Sequence, residues 1–129
     1  MRRIWLAALL IWTGSALADV SLNTKLQLQA DMERHIQGVM INGVYPHIDL
    51  ATGAQQTLFP AAGHPMILKM SQGELFVLCS ELRDESGQSH NVDFYMAKSG
   101  ASYKVIRTEV ANRAPLKALM ERGLVAKVN

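Results

Sequence analysis

Short apolar segments separated by brief polar turns run from residue 44 to residue 110, and this pattern constrains the fold more than any other feature of the chain. The clearest example is ELFVLCSEL at 74–82, followed by the polar RDESGQ and then by SHNVDFYMA at 89–97. Parallel strands need a crossover of about a dozen residues or more, whereas a short turn suffices for an antiparallel pair. The spacing therefore predicts an antiparallel sheet, with four to five strands.

Alternation along 89–97 predicts which side chains share a face of this sheet. One face carries His90, Val92, Phe94 and Met96, and the other carries Asn91, Asp93 and Tyr95. The segment 74–82 is apolar at both odd and even positions, which is typical of a central strand covered on both sides. One helix cannot cover both faces, so we expect the face of Tyr95 to meet a second helix, the early hairpin near residue 50, or a partner.

The segments before and after the predicted strands have helical character. Residues 22–40 are rich in good helix formers, and their apolar residues recur at helical spacing. These residues are Leu22, Leu26, Leu28, Met32, Ile36, Val39 and Met40. Residues 112–123 are predicted to form a shorter helix, because Pro115 suits a first turn and Gly123 suits a helix end.

A long helix, a group of strands and a short helix follow one another in this order, which is typical of α+β proteins. We expect the N-terminal helix to pack on a curved antiparallel sheet, with the short C-terminal helix after it. In element order alone, this layout is similar to those of cystatin-like and NTF2-like proteins. Element order implies nothing about activity, because one fold can carry many functions.

Residues 1–18 have the three zones of a secretory signal peptide. The starting MRR is followed by the apolar run IWLAALLIW and then by the small-residue motif ALA. Nine apolar residues are too few for a membrane-spanning helix, which needs about 20. We predict Sec-type export and cleavage between Ala18 and Asp19, which leaves residues 19–129 as a single domain in the periplasm or outside the cell. An uncleaved anchor and a buried helix are the alternatives.

Removal of the signal peptide would change the charge of the chain. Arg2 and Arg3 are two of its thirteen lysines and arginines, and the remaining eleven balance eleven aspartates and glutamates. A balanced chain lacks the basic patch that attracts nucleic acids and anionic membranes. We therefore expect no nucleic-acid partner and, since no later segment is long and apolar enough, no membrane span after signal removal.

Cys79 is the only cysteine, and its apolar neighbours predict a buried core residue.

Five residues are candidates for an enzymatic site: His47, Asp49, His90, Asp93 and Tyr95. Histidine and carboxylate side chains that converge in a pocket can act as general acids and bases. His47 and Asp49 are two positions apart and would share a strand face, whereas His90 and Asp93 are three apart and would not. The sequence has neither a helical pair of histidines nor a pair of cysteines, so no metal and no other cofactor is predicted.

The aromatic and methionine side chains point to a different function. They either line a concave sheet surface that is open to an apolar ligand or peptide, or simply fill the core: Tyr45, Phe59, Met66, Met70, Phe76, Phe94, Tyr95, Met96 and Tyr103. We therefore expect a non-enzymatic binding or accessory protein of the periplasm, whose partner is another protein or a small apolar ligand. The alternatives are a small hydrolase- or isomerase-like enzyme with a pocket lined by the five candidates, and a purely structural envelope protein.

Overall fold

The computed structural model describes residues 19–128, so the predicted signal peptide, which ends at Ala18, lies outside the described residues. The described chain folds into helices and strands in the order α1 (Leu22–Val39), β1 (Tyr45–Asp49), β2 (Ala54–Pro60), β3 (Met66–Met70), β4 (Leu75–Asp84), β5 (Ser89–Ser99), β6 (Ser102–Val110), α2 (Ala114–Glu121) and β7 (Val125–Lys127). The predicted α+β class is confirmed, with an N-terminal helix, an antiparallel sheet and a short C-terminal helix.

All seven strands belong to one open antiparallel sheet. Strand β4 is central, because β5 pairs along one side of it while β3 and then β2 pair along the other. Beyond these, β1 pairs with β2, β7 with β3, and β6 with β5. The prediction of four to five strands was therefore too low. The three-residue β7 and the edge strand β1, which contains Pro46, give only weak strand signals in the sequence.

Helix α1 begins where the sequence predicts. The side chain of Ser21 caps it by accepting a hydrogen bond from the backbone N–H of Thr24 at 3.2 Å. The helix ends at Val39, before a turn in which Asn42 and Gly43 have φ angles of 51° and 77°. Glycine adopts this left-handed conformation without steric strain. The predicted helix over 22–40 is thus confirmed to within one residue.

Helix α1 packs on one face of the sheet and closes the larger of the two cores. Its buried apolar residues Leu28, Met32 and Ile36 share one core with side chains from six of the strands. These are Tyr45, Leu58, Ile67, Phe76, Leu78, Leu82, Val92, Phe94, Met96 and Tyr103. Five of the aromatic and methionine residues considered as pocket walls therefore fill this core instead: Tyr45, Phe76, Phe94, Met96 and Tyr103.

Helix α2 covers the opposite face of the sheet, where the second core lies. Its buried residue Leu116 packs with Leu68, Val77, Cys79 and Val125. Tyr95 also packs against this core, so its face meets the second helix, which is one of the three expected alternatives. After Gly123, whose φ angle is 68°, strand β7 pairs with β3, and the C-terminal segment thereby docks on the sheet.

A buried carboxylate ties α1 to β6. Asp31 is only 4% exposed and accepts hydrogen bonds from the backbone N–H of Tyr103 at 2.8 Å and from Nε2 of Gln27 at 2.9 Å. Nη1 of Arg34 also donates to Asp31, although the Arg34 side chain is 72% exposed. Burial raises the pKa of Asp31, but these hydrogen bonds outweigh burial and leave the pKa below its usual value.

Part of the stability of the fold is expected to be lost in acid through Asp31. Because the folded-state pKa lies below the ordinary value of 3.8, the unfolded chain takes up this proton first as the pH falls. The stabilisation by Asp31 is complete above the ordinary pKa and decreases as the pH falls through the folded-state pKa. We expect Asp31→Asn to lose less stability than the wild type between about pH 5 and pH 2. Urea unfolding at each pH measures this, and equal losses in both proteins would contradict the assignment.

Candidate functional site

The five candidate residues are divided between the two faces of the sheet. His47, Asp49 and His90 lie on the α1 side, whereas Asp93 and Tyr95 lie on the α2 side, as the alternation of each strand around its core residues requires. Two of the five, Asp49 and His47, have local contacts in or beside β1. Asp49 accepts a hydrogen bond from the backbone N–H of Ala51 at 2.9 Å, and His47 lies opposite Gln56. The structure therefore does not gather the five residues in one pocket.

His90 belongs to a hydrogen-bonded turn between β4 and β5. Its Nε2 lies 2.8 Å from Oδ2 of Asp84. Oδ1 of Asp84 accepts hydrogen bonds from the backbone N–H of Ser86 at 2.9 Å, from its hydroxyl at 2.6 Å, and from the N–H of Gln88 at 2.9 Å. In a catalytic triad the histidine lies between serine and aspartate. Here the aspartate lies between the other two, and this arrangement holds the turn rather than activating the serine.

Loss of Asp84 is expected to loosen this turn. The hydrogen bonds from Ser86 and His90 hold the pKa of Asp84 well below its usual range, which shows that the turn favours the ionised carboxylate. We expect Asp84→Ala to lower the melting temperature and to speed amide hydrogen exchange at Ser86 and Gln88. The matched control is Glu85→Ala, since Glu85 is exposed in the same turn. An equal effect of both substitutions would contradict the role of Asp84.

The α2 side of the sheet contains a second polar cluster, centred on Asp93. This residue is only 1% exposed and lies between Cys79 of β4 and Glu109 of β6 in the strand register. Nε of Arg113, which lies just before α2, is 3.6 Å from Oδ1 of Asp93. That distance allows electrostatic attraction but is too long for a hydrogen bond. Sequence reasoning missed the role of Arg113, because the side chain and Asp93 are twenty positions apart.

Several polar atoms of this cluster are buried without a hydrogen-bond partner. Within residues 19–128 they are both carboxylate oxygens of Asp93, the hydroxyl of Tyr95 and Nε of Arg113. Buried polar groups almost always have partners, because an unpaired one loses its hydration without compensation. Glu109, by contrast, is paired with Arg107 at 2.8 Å and with Asn112 at 3.1 Å. The unsatisfied groups therefore concentrate at Asp93 and its immediate neighbours.

A groove of about 270 Å³ opens beside this cluster. Its walls are the loop at 61–64, the strand residues Met66, Cys79, Ser80 and Glu81, and the side chain of Arg113. Cys79 and Arg113 line the groove and also flank Asp93, so they separate the buried carboxylate from the groove. His64 lies at the exposed rim.

Cys79 is buried, as the sequence predicts, and its thiol is expected to have low reactivity. Burial, the negative charge of Asp93 and the hydrogen bond between the thiol and Asp93 raise the pKa of the Cys79 thiol to about 12, against an ordinary value of 9.0. The thiolate is the reactive form, so at pH 8 the folded protein should react with Ellman's reagent about a thousandfold more slowly than the urea-unfolded chain. Rapid labelling of the folded protein would contradict this.

A second groove, of about 330 Å³, lies where the start of α1 meets β3 and β7. Three large apolar side chains around it are exposed: Leu22 by 68%, Leu26 by 53% and Met66 by 45%. Pro65, Ile67 and Val128 complete its apolar surface, and Lys25 and Lys127 supply its charges. We call these residues the α1–β3 groove.

The sequence alone shows that Leu26 and Leu28 cannot both belong to the core. Leu26 and Leu28 are two positions apart, and residues at that spacing project from nearly opposite sides of a helix. Because Leu28 is fully buried in the core, Leu26 must face away from it. If the apolar residues of 22–40 had been divided by their position around the helix, the core residues of α1 would have been separated from those of the groove.

No helix among residues 19–128 is both long and apolar enough to cross a membrane. In the same part of the chain, no three histidine, cysteine, aspartate or glutamate side chains are arranged to hold a metal ion. Comparisons of the chain with models of protein families, with curated proteins and with solved structures found no match.

Proposed function

We propose that this chain is a small exported, non-enzymatic binding protein of the periplasm or cell exterior, which holds an apolar ligand with an anionic end in the α1–β3 groove. The observation that carries this proposal is the gathering of three exposed apolar side chains, Leu22, Leu26 and Met66, around one concavity. Single exposed apolar residues are common on protein surfaces, whereas a contiguous group marks an interaction site.

The size and surface of the groove favour a small, largely apolar guest. Its volume of about 330 Å³ falls within the range of about 300–1,000 Å³ that is typical of ligand sites. Full burial of a leucine or methionine side chain contributes about 1.5–3 kcal/mol. A guest that covers even part of Leu22, Leu26 and Met66 therefore gains most of its affinity from apolar contact.

The charge of the groove favours an anionic end on that guest. Lys25 and Lys127 are the charged residues of its lining. A lysine can lay its alkyl chain along an apolar wall while its ammonium group stays in water. An exposed ion pair adds only about 0–1 kcal/mol, so we expect the lysines to orient the ligand and to select its charge more than to hold it.

The exported location is part of the proposal and rests on the charged, apolar and small zones of residues 1–18. N-terminal sequencing of the native protein tests it directly. A sequence that starts at Asp19 supports export with cleavage, whereas a start at Met1 in a cytosolic fraction contradicts it.

Binding of a fatty acid tests the ligand assignment. We expect dodecanoate, below its micelle-forming concentration, to bind with a Kd in the micromolar range, which corresponds to about −7 to −8 kcal/mol, in isothermal titration calorimetry. Dodecyltrimethylammonium has the same chain length and the opposite charge, and we expect it to bind at least about tenfold more weakly. Equal binding of both would contradict the role of the lysines, and no binding of either would contradict the proposed function.

Variants of two exposed leucines separate groove binding from adsorption to the surface. Leu26→Glu places a negative charge in the groove and is expected to abolish dodecanoate binding. Leu50→Glu is the matched control, because Leu50 is 90% exposed at the β1–β2 turn and lies outside the groove. Both substitutions are at exposed positions, so both proteins should fold. Equal losses of binding in the two variants would contradict the assignment of the site.

A further inference from the structure

We propose that the polar cluster around Asp93 and Arg113 is a second binding site, which takes a small zwitterion with an ammonium and a carboxylate group close together, as in an α-amino acid. The site lies on the α2 side of the sheet and shares only Met66 with the lining of the α1–β3 groove. Each of the two proposals can therefore be tested without the other.

The described chain supplies Asp93 with only one hydrogen-bond donor, the weakly donating thiol of Cys79. Both of its oxygens are buried without a nitrogen or hydroxyl donor, and the residue is 99% removed from solvent. An ionised carboxylate can accept about four hydrogen bonds. An ammonium group brings three donors and a positive charge, which makes it the most complementary small group for this position.

Arg113 is attracted to Asp93 but keeps donors with which it can bind a ligand anion. Its Nε has no acceptor among the described residues, and the 3.6 Å separation means that Asp93 does not accept from it. A guanidinium presents its donors in a planar fork that matches a carboxylate. The side chain is 34% exposed and forms part of the groove wall, so a ligand in the groove can reach it.

The two charges are adjacent, opposite and not hydrogen-bonded to each other. The ammonium and carboxylate groups of an α-amino acid are attached to the same carbon atom, and can therefore meet both partners at once. The hydroxyl of Tyr95 is a further unpaired group of the cluster and can donate or accept. A ligand with only one of the two charges would satisfy one partner and leave the other unpaired.

The groove has room for such a molecule. Its volume of about 270 Å³ is several times the roughly 30 Å³ that one water molecule takes up in the liquid. Asp93 lies behind Cys79 and Arg113, so the ligand's ammonium group reaches it only if the arginine side chain turns aside. The partial exposure of that side chain allows this movement without a change in the sheet.

Titration of the purified full chain with glycine and L-alanine tests the proposal, with methylammonium and acetate as single-charge probes. We expect the zwitterions to bind with a Kd of about 1 mM or tighter and the single-charge probes at least about tenfold more weakly. Amide NMR signals should shift at 91–95 and at Arg113. If neither zwitterion shifts these signals at about 10 mM, the proposal is overturned, and ordered water is the partner of the unpaired groups.

Substitutions at the two charged residues assign the contacts. We expect Asp93→Asn and Arg113→Gln each to weaken glycine binding by at least about tenfold. Arg34→Gln is the matched control, because Arg34 also pairs with a buried aspartate but lies on the α1 side of the sheet. Unchanged binding in both site variants would overturn the proposal. Because the NMR shifts of the wild type do not depend on any variant, the test holds even if one variant folds poorly.

Discussion

Replacing Asp31 with alanine is expected to lower the free energy of unfolding by about 2–3 kcal/mol. The substitution leaves the backbone N–H of Tyr103 buried without its acceptor and removes the contact through which α1 is bonded to β6. A buried donor left unpaired costs about 1–3 kcal/mol, and hydrogen bonds to charged groups contribute about 1.5–3 kcal/mol. Urea unfolding followed by circular dichroism measures the change.

The exposed partner of Asp31 serves as the control for this prediction. Arg34→Gln removes the same ion pair from its other end, but the Arg34 side chain is 72% exposed, and such pairs contribute about 0–1 kcal/mol. We therefore expect a much smaller effect from Arg34→Gln than from Asp31→Ala. If the two variants lost equal stability, the ion pair rather than the buried bond to Tyr103 would be the source of the stabilisation.

Local sequence patterns were sufficient to predict the helices and the central strands. Alternation placed Val92, Phe94 and Met96 on one face of β5, where they lie in the core beneath α1. The extent of the sheet was harder to predict, because it depends on pairing between distant segments. Strand β7 has only three residues and pairs with β3, more than fifty positions earlier in the chain.

The polar cluster shows why the candidate site was only partly predictable. Asp93 was a candidate from its residue type, but its significance depends on which donors surround it. Those donors are set by the β4–β5 register, which places Cys79 opposite Asp93, and by the position of Arg113 before α2. Neither follows from local spacing. Helical geometry alone, by contrast, shows that Leu26 and Leu28 cannot both face the core.

Asp31 and Asp93 are both buried carboxylates, yet their surroundings differ. Asp31 is 4% exposed and has three donors, whereas Asp93 is 1% exposed and has among residues 19–128 only the weak donor of the Cys79 thiol. Desolvation penalises both carboxylates, and the compensation is weaker at Asp93, where Arg113 attracts the carboxylate without a hydrogen bond. The same substitution, aspartate to asparagine, should therefore change stability in opposite directions at the two positions.

Asp93→Asn is expected to raise the free energy of unfolding by about 1–3 kcal/mol, because asparagine keeps the shape and removes a buried charge that has few hydrogen bonds. It also removes the repulsion from Glu109, which lies directly opposite on β6. Arg113 loses its counter-ion, but its partly exposed side chain can turn into water.

Asp31→Asn should lower stability in the same urea titration. A loss of stability in Asp93→Asn would show that the carboxylate has donors in solution. A higher free energy of unfolding in Asp93→Asn, together with weaker glycine binding, would mean that Asp93 lowers the stability of the fold while it contributes to ligand recognition.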